Sequence, residues 1–268
     1  MNFSLYLITF VFGTIVGSFF NVCISRLPAG ASVIFPASHC PSCQQRLSPL
    51  DLVPVLSFFL LRGRCRYCQA KISARYPLVE MVTGFLFVGL VLAFPVDKAA
   101  LSFVFNVIFV SFLILITFID LEQQLIPDVL ILTGFLAAAS FYGLKFAWNL
   151  PRLDYGFLLW PLFGTVAGYG TMFLVRFIGG IFYKKEVLGE GDVFLAAMIG
   201  AFLGWQKVLL SLFLAYLIAA VIALVLLLLK KVNLQSLVPF GPALAVGALV
   251  MIFWGEQLIS CYLRFIFY

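Results

Sequence analysis

Long apolar runs separated by short polar breaks dominate the chain. The first runs from Phe3 to Ile24, and others follow at about 78–95, 100–119, 127–147, 157–181, 193–205, 206–229 and 237–258. Several lie at or near the roughly 20 residues that carry an α-helix across a bilayer. The pattern predicts an all-α polytopic membrane protein of about eight transmembrane helices. The weakest boundary is around Gly204-Trp205-Gln206-Lys207, because the run before it is short; a single long bent helix there would leave seven spans. Phe3–Ile24 has neither a basic start nor a small-residue cleavage site, so it reads as a retained span and not as a removable signal.

Composition excludes a soluble globular enzyme. Of 268 residues, 64% are hydrophobic and 10% charged, and the mean hydropathy is +1.14; soluble domains carry about 25% charged residues. The basic excess is local. Residues 26–77 hold seven basic residues, Arg26, Arg46, Arg62, Arg64, Arg66, Lys71 and Arg75, against a single acid, Asp51. That excess marks a cytoplasm-facing or headgroup-facing segment and not a nucleic-acid surface. Placing 26–77 inside also puts Lys184, Lys185, Lys230 and Lys231 inside, leaving Lys98, Lys145, Arg152, Lys207 and Arg264 outside and the N-terminus outside. The resulting division is a first span (1–25), a cytoplasmic arm (26–77) and a transmembrane core (78–268).

Four of the six cysteines form one pattern, Cys40-x-x-Cys43 and Cys65-x-x-Cys68, with 21 residues between the pairs. Two turns that each present a pair of thiolates can close a tetrahedral zinc site, and this spacing is that of a zinc ribbon. Two disulfides or a redox pair are the other uses, but a cytoplasmic loop is kept reduced. With four thiolates present, His39 is read as a surface neighbour. A closed four-cysteine site leaves no position for water, so such a zinc holds a fold and does not catalyse. Cys23 and Cys261 read as small buried hydrophobes.

Catalysis therefore has to be sought among the spans. An acid at membrane depth is costly, by about 2.5–3.5 kcal/mol on the insertion scale, and is a site candidate by default. Two places qualify: Asp120 with Glu122 and Asp128, where the third run ends and the fourth begins, and Gly189-Glu190-Gly191-Asp192, where the sixth begins. Asp128 follows Pro127 and has a sufficient role as a helix cap. Glu122 and Glu190 are read as water-facing loop residues. Asp192 has a capping role open to it too, yet glycines on both sides of Glu190, just before it, let backbone approach a ligand closely. If Asp120 and Asp192 converge, they make a carboxyl dyad of the aspartic-protease kind; a proton- or cation-transport pair stands beside that reading on chemistry alone.

The sequence resembles the bacterial prepilin peptidases, membrane aspartyl proteases of the Gly-x-Gly-Asp type that process type IV prepilins and type II secretion pseudopilins. The resemblance runs through Gly17-Ser18-Phe19-Phe20-Asn21-Val22, the paired Cys motifs, Leu61-Arg62-Gly63-Arg64-Cys65 and Ile72 to Glu80. It continues through Ile119-Asp120 to Ile126-Pro127-Asp128, Gly189-x-Gly191-Asp192 with Gly200 and Gly204, and Pro239-Phe240-Gly241-Pro242. It implies that Asp120 and Asp192 are the catalytic pair, that cleavage follows a glycine at the cytoplasmic side of the bacterial inner membrane, and that the substrate is a prepilin or pseudopilin. It also implies S-adenosylmethionine-dependent N-methylation of the new N-terminus. No Gly-rich loop after a strand is present to assign that donor residues. The chain departs from the family pattern at Phe194, where lysine is common. Gly13-x-x-x-Gly17 also has a packing account, since small residues let membrane helices approach. The competing classes are a membrane thiol oxidoreductase, which needs the cysteines near an oxidising face, and an ion-coupled transporter, for which no paired half-repeats are visible.

Overall fold

The computed structural model describes residues 3–94, 96–148, 156–183, 188–230 and 239–267. Lys184, Lys185, Lys231 and Arg152, used above for orientation, lie outside the described residues. The described chain is helical, as a polypeptide in lipid must be when every backbone N–H and C=O needs an internal partner. It divides into two compact units, Met1–Leu115 and Ile116–Tyr268.

The first unit is an antiparallel helical hairpin with the arm as its loop. Helix α1 (Phe3–Arg26) packs on α3 (Arg75–Ala93), and the arm between them carries a 3-10 turn (Pro49–Leu52) and one short α-helix, α2 (Leu56–Leu60). The contact is made by small residues. A Cβ on Gly13 would stand 2.8 Å from Gly84 Cα, and one on Gly17 would stand 2.7 Å from Glu80 Cα, so the backbones meet where the Gly13-x-x-x-Gly17 spacing allows. At the arm end of the hairpin, Asn21 Nδ2 donates to the Tyr76 carbonyl at 3.1 Å. Cys23 is buried in this hairpin.

Helix α4 (Val96–Gln123) runs from the first unit into the second. The second unit continues with α5 (Asp128–Trp148), α6 (Gly156–Tyr183), α7 (Glu190–Leu203), α8 (Trp205–Leu228) and α9 (Gly241–Phe267). Among the described residues, seven helices are long and apolar enough to cross a membrane: α1, α3, α4, α5, α6, α8 and α9. The remaining apolar run, 193–205, folds as α7, whose 14 residues extend about 21 Å, short of the roughly 30 Å hydrocarbon core. It does not merge with α8 into one bent helix. Gly204 separates them at φ +78, a conformation that favours glycine, and a Cβ there would run into the Trp160 indole.

α7 is enclosed by protein. From Leu195 to Leu203 every residue is buried, because α6 comes against it backbone to backbone: a Cβ on Gly164 would collide with the Gly200 carbonyl, and one on Gly168 with that of Ala196. The outer helices turn apolar side chains such as Val166 and Phe213 outward, the surface expected of spans whose solvent is lipid. Cys261 is among the outward positions and is exposed, which corrects its reading as a buried residue: a lipid-facing site is apolar without being covered by protein.

Candidate active site

Asp120 lies in the last turn of α4 and is buried, at 5% exposure. Its backbone carbonyl accepts Gln124 N–H at 2.9 Å, with Gln124 at φ +52, so the helix closes in a left-handed cap that turns the chain towards Ile126. Asp192 is the third residue of α7, where Gly189 is the N-cap. Its carboxylate lies against the Gly189 backbone N–H, where the first turn of the helix leaves donors free. The capping role is therefore real, and it points the carboxylate out of the helix N-terminus. The fold brings Asp192 within reach of the Asp120 charge, although nothing in their spacing along the chain required it.

Three backbone features fix this meeting. Gly241 N–H donates to Asp120 Oδ2 at 2.9 Å. Gly241 is the first residue of α9, so the positive end of that helix faces the carboxylate. Gly191 is the point where the α4–α5 turn touches α7, since a Cβ there would come 3.0 Å from Ile126 Cβ. A Cβ on Gly189 would lie 3.2 Å from Asp192 Oδ2. Both glycines of Gly-x-Gly-Asp thus have a steric reason at this site.

Asp128 opens α5 and is exposed, in the first turn where a carboxylate meets the helix dipole. Glu190 is not in a loop; it opens α7 and pairs with Arg176 Nη2 at 3.0 Å. Phe194 packs against Tyr169 with ring centroids 5.9 Å apart, on a row continued by Phe173 and Phe177. A residue unmarked by the sequence also comes within reach of Asp192: Tyr216, on α8, packs tilted against Phe240 with ring centroids 5.0 Å apart and donates its O–H to Met172 Sδ at 3.0 Å. No motif announces it, because it is one aromatic among many on an apolar helix.

In the other unit the four cysteines converge. Their sulfurs all lie within 4.8 Å of one another, and Cys40 Sγ stands 3.9 Å from Cys68 Sγ; tetrahedral zinc with Zn–S of about 2.3 Å wants sulfurs about 3.8 Å apart. The residues therefore fit a metal ion. They sit on two matching turns. Cys40 N–H donates to the Gln45 carbonyl and Cys65 N–H to that of Ala70; Gln44 and Gln69 take φ +57 and +60; and each turn is closed by a short bridge, His39 with Arg46 and Arg64 with Lys71. The two turns are a local structural duplication of eight residues, 39–46 and 64–71. Backbone N–H groups of Cys43 and Ser42 pull the Cys40 thiol down to about 6, while at Cys68 the Ala70 N–H is outweighed by burial and the other three sulfurs, which push that thiol up to about 11, so the four sulfurs titrate as one cluster. The His39 ring lies by the Ala37 carbonyl, at 3.0 Å.

Asp51 ties the turns to the arm. It accepts from Ser48 N–H and Oγ–H at 3.0 and 2.7 Å, from Arg66 Nε at 2.7 Å and from Tyr67 O–H at 3.2 Å. Burial favours its neutral form, but these hydrogen bonds win and pull the carboxyl down to about 2. A second acid holds the arm to the hairpin: Glu80, buried on α3, accepts the Val55 N–H at 2.7 Å. As an acid inside an apolar run, Glu80 met the criterion applied above to Asp120.

Residues 11–94 match the family model described as Bacterial Peptidase A24 N-terminal domain, and residues 107–224 match the Type IV leader peptidase family. A prepilin leader peptidase/N-methyltransferase of Aeromonas hydrophila is 33% identical, over 96% of this chain and 93% of the relative. The protein of the same name from Bacillus subtilis is 33% identical, over 96% and 97%. A type 4 prepilin-like proteins leader peptide-processing enzyme of Escherichia coli is 36% identical, over 90% and 91%. No solved structure matches the chain. With matches at this identity over nearly the whole length, the chain belongs to the type IV leader peptidase family.

Proposed function

We propose that this protein is a membrane aspartyl endopeptidase that removes the leader of type IV prepilins or type II secretion pseudopilins after a glycine, with Asp120 and Asp192 as its catalytic pair. The observation that carries the reading is the meeting of these two carboxyls, one at a helix end and one at a helix start, in a chain whose relatives carry the prepilin peptidase name. One carboxylate takes a proton from water as the water attacks the scissile carbonyl, and the other, protonated, donates to the carbonyl oxygen; the proton then passes to the departing amine. The pair titrates as a unit, so the roles belong to the dyad. Gly241 N–H and Gly189 N–H orient the two carboxyls while leaving each a further oxygen for water or substrate.

The site belongs at the cytoplasmic side of the bacterial inner membrane, supported by the basic residues of 26–77. Cys40, Cys43, Cys65 and Cys68 would hold one zinc ion that orders the arm and takes no part in hydrolysis. In this division the arm (26–77) is the zinc-bearing part and 78–268 the protease core. We extend the relatives' second activity to this chain as well, with S-adenosylmethionine as donor to the new N-terminus. The described residues hold no strand ending in a Gly-rich loop, and no step is routed through that cofactor.

The experiment is incubation of the purified protein in detergent with a prepilin, with and without S-adenosylmethionine, and weighing of the products. Loss of the leader mass in both samples, and a methyl group in the second alone, is the expected result. An intact prepilin in the presence of folded, zinc-loaded protein defeats the reading.

A further inference from the structure

Outside the candidate spans, the arm exposes large apolar side chains at Ile34 and Phe35 and again, more densely, between Leu50 and Leu60. Leu50 is 70% exposed, and on α2 Leu56, Phe59 and Leu60 are 60, 62 and 81% exposed. Leu56, Phe59 and Leu60 stand at i, i+3 and i+4, so they share one face of that helix. Phe58 points elsewhere, onto the turn at Gly63, where a Cβ would lie 3.2 Å from its ring. On a segment surrounded by water, such a face would be a liability.

The position of α2 removes that objection. Val55, its N-cap, donates its N–H to Glu80 Oε2 at 2.7 Å. Glu80 lies five residues into the candidate span Arg75–Ala93, about 7.5 Å along the helix axis at 1.5 Å per residue. α2 therefore begins beside the first turns of α3, within the candidate span. The residues that follow are basic: Arg62 and Arg64 are exposed, with Lys71 exposed beyond them, and the arm's single acid is consumed by Arg66. An apolar face at membrane depth fringed by cations is the pattern of an element that lies in the interface of an anionic bilayer.

We propose that α2 is a membrane foot: Leu56, Phe59 and Leu60 sit in the boundary between headgroups and acyl chains, and Arg62 and Arg64 bind anionic lipid headgroups. The arm is then fastened to the bilayer at a third place besides its two flanking spans. This inference does not rest on the peptidase reading, and its test does not use catalysis.

The test places the photo-crosslinking residue p-benzoylphenylalanine at Phe59, and separately at Leu60, in the full chain reconstituted in nanodiscs of mixed phosphatidylglycerol and phosphatidylcholine. Both positions are exposed, so neither replacement disturbs a packed core. After irradiation, the α2 peptide should carry lipid adducts at both positions, with phosphatidylglycerol over-represented at least twofold relative to its share of the disc. The Arg62→Gln, Arg64→Gln double variant should abolish that enrichment while lipid adducts persist. Absence of lipid adducts at both positions, cross-links to a second copy of the chain in their place, or an adduct composition equal to that of the disc would each overturn the proposal.

Discussion

Gly241 N–H meets Asp120 Oδ2 at 2.9 Å across 121 residues of chain, which makes the start of the last helix part of the environment of an acid on α4. A Cβ on Gly241 would stand 2.6 Å from that oxygen and 3.3 Å from Asp120 Cβ. Gly241→Ala should therefore displace the carboxyl while leaving the helix intact. A displacement near 1 Å costs about 100-fold in rate where geometry sets the barrier. Prepilin cleavage by Gly241→Ala at matched membrane expression should fall by at least about tenfold; a rate within twofold of the parent would show that this contact does not position Asp120.

Asparagine keeps the outline of aspartate but cannot take or share the water proton. Asp120→Asn and Asp192→Asn should each abolish cleavage, and the double variant should be no worse, since groups that act as a unit are not additive. Asp128→Asn keeps an oxygen at an exposed first-turn position and should cost about 1 kcal/mol of stability or less, with most activity retained. Cleavage assays on the four folded variants test the assignment, which does not survive an active Asp192→Asn or a dead Asp128→Asn. Given a precleaved pilin, Asp192→Asn should still methylate it, because methyl transfer needs no water-activating acid.

Metal analysis should find about one zinc per chain, lost in the Cys40→Ser, Cys43→Ser variant. Asp51→Asn weakens the hydrogen bonds from Ser48, Arg66 and Tyr67 without touching a sulfur, so it should leave the zinc content intact and speed its removal by a chelator. The Asp51 carboxyl lies at about 2, below the ordinary value near 3.9. Its contribution to the arm is thus complete above about pH 4 and lost as pH falls through 2. Thiolates compete with protons well above that range, so a pH titration followed by metal release and by arm proteolysis should show zinc leaving before the Asp51 cluster yields. Zinc retained to below pH 3 would contradict this order.

Glu80→Ala leaves the half-buried Val55 N–H beside α3 without its acceptor, a loss of about 1 kcal/mol. The variant should become sensitive to limited proteolysis near residues 50–60, while Glu80→Gln, which keeps a side-chain carbonyl, should be intermediate. Equal resistance in all three proteins would show that this hydrogen bond does not fasten the arm.

The helices were legible because lipid leaves the chain little choice: a long apolar run must be helical and must be bounded by polar residues. The cysteine site was legible because ligand spacing is local. α7 was only half legible. Its apolar run looked like a short span, and hydropathy does not distinguish a helix wrapped by protein from one wrapped by lipid; the signal that does so is the pairing of Gly164 with Gly200 and of Gly168 with Ala196, which is a fact of three dimensions. The approach of Asp120 to Asp192 was likewise beyond periodicity: the cost of acids at membrane depth singled out both residues, and the family resemblance paired them as catalytic. Tyr216 and the duplicated turns of the arm were missed for opposite reasons, the first because it carries no pattern and the second because its repeat is only eight residues long.

The enclosure of α7 has a mechanical side. Spans that face lipid tilt or thin the bilayer when their apolar length and the membrane thickness disagree. α7 presents almost no lipid-facing surface, so hydrophobic mismatch has little grip on it, and the glycine contacts with α6 set the depth at which Asp192 stands. Peptide hydrolysis by this protein should accordingly vary little between short-chain and long-chain lipids, and the bilayer's influence should fall on how the substrate helix arrives.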